Sequence, residues 1–256
     1  MNVTSYFQEK QVQQTSSTIV ELRQYTLHPG KRDDLIELFD REFVEPQEAA
    51  GIKVIGQFRD MDDPDRFVWL RGFDDMGSRA QALSRFYGGP VWKAQREAAN
   101  ATMIDSDNVL LLHPAHLQSG FPLENSHRLP HHAGKIPKGL FVATIYYLDT
   151  PADDEFVDFF DNIVKPILMK AGADILAHFV TEESPNTFPA LPVREGEQVF
   201  VWFARFEDQA AHELYKTTLT RSQRLRDEVL NALVRPMRRS PEVLRLAPTK
   251  RSLLQD

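Results

Sequence analysis

Charged and aromatic side chains alternate along two predicted strands in the first half of the chain. Side chains two residues apart on a strand share one face, so each strand carries such a mixed face. The six residues are Glu21, Arg23, Tyr25, Trp69, Arg71 and Phe73. Guanidinium groups offer paired donors to a carboxylate or an enolate and keep their charge when buried. The set therefore predicts a catalytic or binding site for a small hydrophobic or aromatic molecule that bears an oxyanion.

The residue types also suggest separate roles. Arg23 and Arg71 are expected to hold the oxyanion, and Tyr25 to donate a hydrogen bond to a substrate oxygen. Glu21 is a candidate general base, although burial would raise its pKa and the neighbouring arginines would lower it. An equally strong alternative is a structural Glu and Arg network that only fixes the strand register.

Further side chains are candidates for ligand binding. Trp69 and Phe73 are expected to contact the flat part of the ligand. Tyr87 and Trp92, beside a predicted helix break, would form a lid over a cavity, or else pack in the core. His178 is either a satisfied strand histidine, a proton donor to a ligand, or a haem-type axial ligand.

The elements that position these residues follow the order β-α-β-β-α-β. Hydrophobic periodicity and turn residues predict them at 19–27, 32–50, 53–58, 67–73, 76 to 100 with an interruption at 88–90, and 109–113. This order is typical of the ferredoxin-like unit, a four-stranded antiparallel sheet with both helices on one face.

The second half of the chain repeats this order. The matching positions Phe58 and Phe179 are 121 residues apart, whereas Phe67 and Phe200 are 133 apart, so the extra residues lie in one loop at 180–199. The predicted organisation is a disordered tail (1–17), a first domain (18–115), a linker (116–138), a second, degenerate domain (139–248) and a short tail (249–256).

Each ferredoxin-like sheet leaves one face bare, and packing the two bare faces together covers both. The sequence therefore predicts an α+β fold in which two fused ferredoxin-like domains pack sheet to sheet as an intramolecular α/β barrel with a cavity. The aliphatic strand faces, with Val20, Leu22, Val68 and Leu70, are expected to meet the helices. The mixed charged and aromatic faces would then line the barrel interior.

Comparison of the two copies locates the predicted site in the first half. Aligning Tyr25 with Tyr147 leaves apolar or aromatic residues opposite the six site positions: Ala143, Ile145, Tyr147, Trp202, Ala204 and Phe206. A scaffold role would be expected in both copies, whereas a site is needed only once. The second half is therefore expected to supply an apolar wall, including Tyr147 and Trp202.

Composition excludes several classes of function. A net charge of -7 over 256 residues argues against binding to nucleic acid or to anionic membranes. The chain has no cysteine, no apolar run of membrane-spanning length and a polar start, which together favour a cytoplasmic protein. Exposed sheet edges could still pair two chains into a homodimer.

Motifs for metals and phosphates are weak or absent. Five histidines fall close together at His113, His116, His127, His131 and His132. Apart from Glu124, this segment lacks acidic partners, and the histidines lack the helical spacing of zinc ligands, so a solvated connector without metal is the preferred interpretation. Glycine-rich phosphate loops and the nucleophile elbow of hydrolases are also missing.

The segment from Glu21 to Leu27 followed by Pro29-Gly30, the segment from Phe67 to Phe73, and Trp92 resemble the NIPSNAP family. That family belongs to the dimeric α/β-barrel superfamily and has no generally established reaction. The resemblance implies the same barrel fold. Its wider relatives include cofactor-independent monooxygenases, isomerases and haem enzymes, so the fold leaves function open.

The sequence thus favours a NIPSNAP-type small-molecule enzyme that uses neither metal nor organic cofactor. Isomerisation, cyclisation or oxygen insertion into an enolate-like substrate would each suit the predicted side chains. One alternative is a non-catalytic ligand-binding or protein-scaffold barrel, which requires Arg23 and Arg71 to be fully paired within the protein and no open pocket of ligand size to exist. Another is a haem-binding α/β-barrel protein, which requires a histidine such as His178 to face the cavity.

Overall fold

The computed structural model describes residues 17–123, 126–130, 137–223 and 229–255. The tail predicted at 1–17, apart from Ser17, lies outside the described residues, as do His131 and His132. A closed barrel of eight antiparallel strands forms the centre of the fold, and helices lie outside it.

The first half contains four strands and a helical layer in the predicted order. The elements are β1 (Ile19–Leu27), α1 (Arg32–Leu38), the π-helical segment π1 (Phe39–Phe43), α2 (Val44–Ala49), β2 (Lys53–Asp60), β3 (Arg66–Phe73), α3 (Met76–Gly88), α4 (Pro90–Asn100) and β4 (Met103–Pro114). The helix predicted at 32–50 thus has a π-helical segment in its middle, a feature frequent at functional sites. The interruption predicted at 88–90 separates α3 from α4, with Pro90 in the first turn of α4.

The second half follows the same order. Its elements are β5 (Leu140–Tyr147), α5 (Asp154–Phe159), π2 (Phe160–Val164), α6 (Lys165–Lys170), β6 (Asp174–Thr181), β7 (Val199–Phe206), α7 (Gln209–Arg221), α8 (Leu230–Val234) and β8 (Glu242–Pro248). Hydrophobic spacing in the second half predicts one helix at 209–234, and this prediction is wrong, because α7 ends at Arg221 and α8 begins at Leu230.

Strand pairing closes the barrel. The order around it is β1-β3-β2-β8-β5-β7-β6-β4, so each half contributes four adjacent strands. The halves join where β2 pairs with β8 and β4 pairs with β6. β1 and β3 are neighbours, as predicted, with Glu21 opposite Arg71 and Arg23 opposite Trp69.

The predicted assignment of strand faces is wrong. The barrel interior is a hydrophobic core shared by both halves, in which Val20, Leu22 and Leu70 pack with Phe141 and Ile145. An eight-stranded barrel is just wide enough to be filled by such side chains.

The opposite strand face of the first half meets its own helices. Tyr25, Trp69 and Phe73 pack there against residues of the helical layer, including Phe39 and Phe86. The six predicted site residues therefore do not line the barrel interior. They lie between the sheet and the helices of the first half, where polar partners on the helices and loops can satisfy their charges.

The alignment of the two copies on β1 and β5 also needs a correction of one residue. Tyr25 faces Phe67, and Tyr146, not Tyr147, faces Phe200. The true counterparts of Glu21, Arg23 and Tyr25 are therefore Val142, Thr144 and Tyr146. A slip of one residue exchanges the two faces of a strand, which is why Ala143, Ile145 and Tyr147 belong to the barrel interior instead.

The connector between the halves and the end of the chain both pack onto the barrel. Phe121 lies in the barrel core against Phe179 and Phe203, so this stretch of the linker is not a solvated connector. Past β8, Ser252 is buried and Leu254 joins the same core. These two segments cover apolar ends that the strands alone leave open.

Candidate functional site

One carboxylate and three guanidinium groups form a buried cluster beneath the helices of the first half. Arg23 Nη1 and Arg71 Nε donate to Glu21 Oε2 over 2.5 and 2.7 Å, and Arg79 Nε donates to Oε1 over 2.7 Å. The side chains of Glu21, Arg71 and Arg79 have no solvent exposure, and Arg23 is 1% exposed. The cluster thus buries two more positive than negative charges.

Two strands and one helix position these groups. The β1–β3 register sets Glu21 beside Arg71, since directly opposed residues on antiparallel strands have neighbouring side chains. The third arginine comes from the first turn of α3, where Asp75 caps the helix by accepting from the Ser78 amide over 2.6 Å. That cap fixes the start of α3 and so the position of Arg79.

The electrostatics of the cluster keep Glu21 ionised. Burial alone would raise the pKa of Glu21, but the charges of Arg71, Arg23 and Arg79 outweigh burial and hold that pKa well below its usual range. A carboxylate in this state is a weak base. Glu21 therefore orients the guanidiniums, and its environment does not favour the role of general base.

Two guanidinium nitrogens in the cluster lack an acceptor. Arg71 Nη2 and Arg79 Nη2 are buried and have no hydrogen-bond partner. A buried donor without an acceptor costs about 1–3 kcal/mol, and more when the group is charged. Such donors are rare in folded proteins, and an acceptor supplied by a ligand is one explanation for them here.

Two tyrosines flank the guanidiniums with hydroxyl groups that still have a proton to donate. Tyr25 Oη accepts from Arg23 Nε over 3.0 Å, and Tyr87 Oη accepts from Arg71 Nη1 over 3.3 Å. Burial raises the pKa of Tyr25, so its hydroxyl stays protonated. Each phenol therefore has a hydrogen-bond donor next to the cationic cluster.

Aromatic rings surround the cluster. The Arg71 guanidinium lies 5.2 Å from the Trp69 ring centroid and 5.7 Å from that of Phe73. Trp92 packs against Tyr87 with ring centroids 4.8 Å apart. Flat apolar surfaces next to positive charge suit an aromatic anion, because both parts of such a molecule find a partner.

The long loop of the second half covers this site in the first half. Arg79 Nη1 donates to Asn186 Oδ1 over 3.0 Å and to Thr187 Oγ1 over 3.1 Å. Phe188 stacks on Tyr87 with ring centroids 5.9 Å apart. The loop at 180–199 of the second half thus forms a lid on the charged cluster of the first half.

The part of the chain that contains this cluster matches a known protein family. Residues 20–117 match the family model described as NIPSNAP. This part of the chain is a NIPSNAP domain. The charged cluster, the two tyrosines and the aromatic rings around it all lie within the matched residues.

Solved structures share the overall fold of the chain. An anthrone oxidase-like protein is 15% identical with a TM-score of 0.58, covering 92% of this chain and 93% of its own. A proposed monooxygenase from Fusobacterium nucleatum is 11% identical with a TM-score of 0.52, covering 91% and 92%. Another, from Lactobacillus acidophilus, is 12% identical with a TM-score of 0.51, covering 91% and 97%.

At these identities the likeness shows the fold alone. Among curated proteins, no match to this chain was found. Within the described residues, every helix is too short or too polar to cross a membrane.

Three predicted site residues lie away from the cluster around Glu21. Tyr147 is in the barrel core, where its hydroxyl donates to Glu242 Oε2 over 2.6 Å. Trp202 and His178 lie beneath the helices of the second half, each against Phe160. These three residues do not contribute to the cluster around Glu21.

Sequence reasoning missed Arg79 and the lid residues Asn186 and Thr187. Arg79 stands four residues after the capping Asp75, and the same position after the capping Asp208 is His212. The comparison of the copies that singled out Arg71 would therefore have found Arg79, had it been extended into the helix. Nothing local in the sequence indicates that the 180–199 loop reaches the other half.

Proposed function

We propose that the NIPSNAP domain binds a flat, partly aromatic small molecule through an oxyanion and acts on it as a cofactor-independent enzyme. The observation that carries the proposal is the excess of buried positive charge, with partnerless donors on Arg71 and Arg79. An oxyanion that reaches these donors would accept hydrogen bonds and neutralise part of the excess positive charge. Phenolates, enolates and carboxylates share this chemistry.

In this proposal the cluster stabilises an enolate or phenolate form of the substrate. Arg71 and Arg79 hold the oxyanion, while Glu21 keeps their guanidiniums oriented before the substrate arrives. Fixed charges in a site without water act strongly on developing negative charge and need no reorganisation. The hydroxyl protons of Tyr25 and Tyr87 supply further donors to a second substrate oxygen.

An electron-rich enolate is common to the reactions that suit this site. Isomerisation and cyclisation need only a proton shift through it. Oxygen insertion is the candidate favoured by the structural neighbours, two named as monooxygenases and one as anthrone oxidase-like. In that reaction O₂ converts an activated CH₂ group into a carbonyl, and the second oxygen atom leaves as water.

Substrate entry requires the lid to move. The cluster is sealed from solvent, whereas Tyr87 is only half-buried and Thr187 joins the lid to the Met76 carbonyl through a 3.0 Å hydrogen bond. Polar contacts of Asn186 and Thr187 and the packing of Phe188 and Leu191 hold the loop, so its opening costs less than unfolding of the whole chain.

The test is a titration with a matched pair of probes, 2-naphthoate and the neutral 2-naphthalenemethanol, followed by tryptophan fluorescence. The anion is expected to bind saturably and to bind more tightly than the alcohol. Arg71→Ala is expected to abolish binding in protein that circular dichroism shows to be folded, whereas Arg205→Ala, in an exposed pair with Asp174, should leave it unchanged. Equal affinity for both probes, or unchanged binding to Arg71→Ala, would rule out the site.

Native mass spectrometry of freshly purified protein gives an independent test. A small mass lost on denaturation would identify a copurified ligand and its chemical class. The Arg71→Ala variant serves as the control, since it should lose that mass.

A structural role for the cluster is the second candidate. It is favoured by the complete burial of Glu21 and its three hydrogen bonds to arginines. The chain would then be a ligand-binding or scaffold barrel without catalysis at this place. Failure of every anionic probe to bind, together with a ligand-free native mass, would favour this candidate.

We also propose that the two halves are duplicated ferredoxin-like units, with domains at 18–115 and 139–248. The support is the equal strand order in each half, β4-β1-β3-β2 in the first and β8-β5-β7-β6 in the second. The π-helical segments π1 and π2 occupy equal positions in the two halves as well. The duplication explains how one half could keep the scaffold while the other specialised.

A further inference from the structure

Two histidines and an aspartate meet at the surface of the second half, away from the cluster around Glu21. His116 Nε2 lies 2.9 Å and His178 Nε2 lies 3.2 Å from the same Asp161 oxygen, Oδ2. One ligand atom from each residue falls within 4.8 Å of the others. Around a tetrahedral ion with bonds of about 2.0 Å, ligand atoms lie about 3.3 Å apart, so small shifts would admit an ion.

Three separate elements build this group. Asp161 is the second residue of π2, His178 lies on β6 opposite Trp202, and His116 follows the end of β4. Residues 45 positions apart in the sequence, His116 and Asp161, thus come into contact. The fold supplies the acidic partner that the neighbouring sequence of His116 lacks.

The equivalent position in the first half shows what a purely structural version looks like. Asp40 is the second residue of π1, and Gln57 lies on β2 opposite Trp69. Gln57 Nε2 donates to Asp40 Oδ1 over 2.9 Å, and Gln57 Oε1 accepts from Arg128 over 3.1 Å. Both side chains are buried, and the cationic Arg251 donates to the Asp40 carbonyl over 2.7 Å.

The second half differs in chemistry and in access. Its glutamine is replaced by His178, a second imidazole is added by His116, and the group opens to solvent. The His116 side chain is 38% exposed and that of Asp161 is 21% exposed, whereas His178 is buried. Two imidazoles and one carboxylate with an open side form the donor set of catalytic zinc and non-haem iron sites.

We propose that His116, Asp161 and His178 bind one divalent transition-metal ion, of the Zn²⁺ or Fe²⁺ class, with a coordination position open to water. Each histidine uses Nε2, and Asp161 uses Oδ2. The ion replaces the protons that now link both imidazoles to the carboxylate.

Two contacts oppose the ion and set its affinity. Lys165 Nζ lies 3.1 Å from Asp161 Oδ1, which leaves only Oδ2 for the metal and places a positive charge nearby. The backbone N–H of Gln118 donates to His116 Nδ1 over 3.2 Å. This bond is lost when His116 binds the metal through Nε2, because Nδ1 then carries the proton. The site is therefore expected to bind in the micromolar range.

The experiment is a titration of the full chain, without a histidine tag and after treatment with a chelator, with Zn²⁺ by calorimetry and with Co²⁺ by visible absorption. One equivalent of each ion is expected to bind. His116→Ala, which changes a partly exposed side chain, should weaken binding about 10- to 100-fold with an unchanged circular dichroism spectrum. Lys165→Ala should strengthen it about 3- to 10-fold, because a nearby like charge is removed.

Two controls separate this site from adventitious binding. His127→Ala removes another histidine from the connector and should leave the affinity unchanged. Asp40→Asn alters the equivalent carboxylate of the first half and should also leave it unchanged. The proposal is overturned if no stoichiometric binding occurs, if His116→Ala binds like the parent chain, or if Lys165→Ala fails to strengthen binding.

Discussion

The two halves of the barrel share one architecture but differ sharply beneath their helices. The first half buries Glu21 and Arg71 opposite each other on β1 and β3. At the corresponding pair of positions on β5 and β7, the second half has Val142 and Ala204. Both sheets pair, twist into the same barrel and carry helices, so the fold itself does not require the charges.

This difference indicates what the charges do not do. Replacing a buried ion cluster by apolar residues is often neutral or stabilising. The second half has Val142, Thr144, Ala204 and His212 at the corresponding positions, so the same architecture forms without an ion cluster. The fold thus does not account for the partnerless donors and the excess positive charge of the first half, whereas the proposed oxyanion ligand would.

The halves also depend on each other at this site. The lid residues Asn186 and Thr187 belong to the second half but bind Arg79 of the first. A loop of one half thus covers the charged cluster of the other half. Neither half by itself contains the complete site.

The largest expected effect comes from removing the carboxylate. Glu21→Gln leaves three buried guanidiniums without a counter-charge, so the free energy of unfolding should fall by about 3–5 kcal/mol. Urea denaturation followed by circular dichroism measures it. Asp174→Asn, which breaks an exposed pair with Arg205, is the control and should cost less than about 1 kcal/mol. Equal losses in both variants would contradict the cluster as described.

Lowering the pH is expected to reduce the stability of the fold through Glu21. Because the pKa of Glu21 is lowered in the folded state, its contribution to stability is complete above its ordinary value of 4.5 and is lost as the pH falls below that value. Each such group adds a slope of at most about 1.4 kcal/mol per pH unit. Unfolding free energies at a series of pH values should show a shallower slope for Glu21→Gln than for the parent chain. Parallel slopes would mean that Glu21 is not held ionised.

Two matched tryptophan substitutions separate an effect on ligand binding from an effect on packing. Trp69→Phe and Trp202→Phe remove similar volumes from corresponding buried positions, so each should destabilise the fold by about 1–2 kcal/mol. Only Trp69→Phe should weaken 2-naphthoate binding, by about 10-fold. Fluorescence polarisation with a naphthoate-based tracer measures the affinity of both. A similar loss of affinity in Trp202→Phe would place the ligand elsewhere.

The smallest effect is expected at the lid. Thr187→Val removes hydrogen bonds to Arg79 and to the Met76 carbonyl, and should cost about 0.5–1.5 kcal/mol. Hydrogen exchange should rise in residues 184–191 and remain unchanged in α7. Ligand dissociation should become several-fold faster in stopped-flow measurements. Unaltered exchange in the loop would show that these bonds do not hold it.

Much of the fold followed from local patterns. The alternation in β1, the helical spacing in α1 and the glycine and proline residues between α3 and α4 predict those elements close to their observed bounds. The charged residues of the first half were also identified from the sequence, because charges that one copy has and the other lacks are visible without coordinates. Arg79 lies on α3, outside the strand positions at which the two halves were compared.

The order of the elements and the set of residues that share a strand face can be predicted from the sequence alone. The face that points into the barrel is known only from the tertiary structure. Alternation along a strand defines two faces, but it does not show which one meets the barrel core and which one meets the helices. The tertiary structure also joined His116 to Asp161 and His178, and Arg79 to a loop 107 residues away. Such contacts form because the closed barrel brings distant segments together, and local side-chain patterns do not predict which segments will meet.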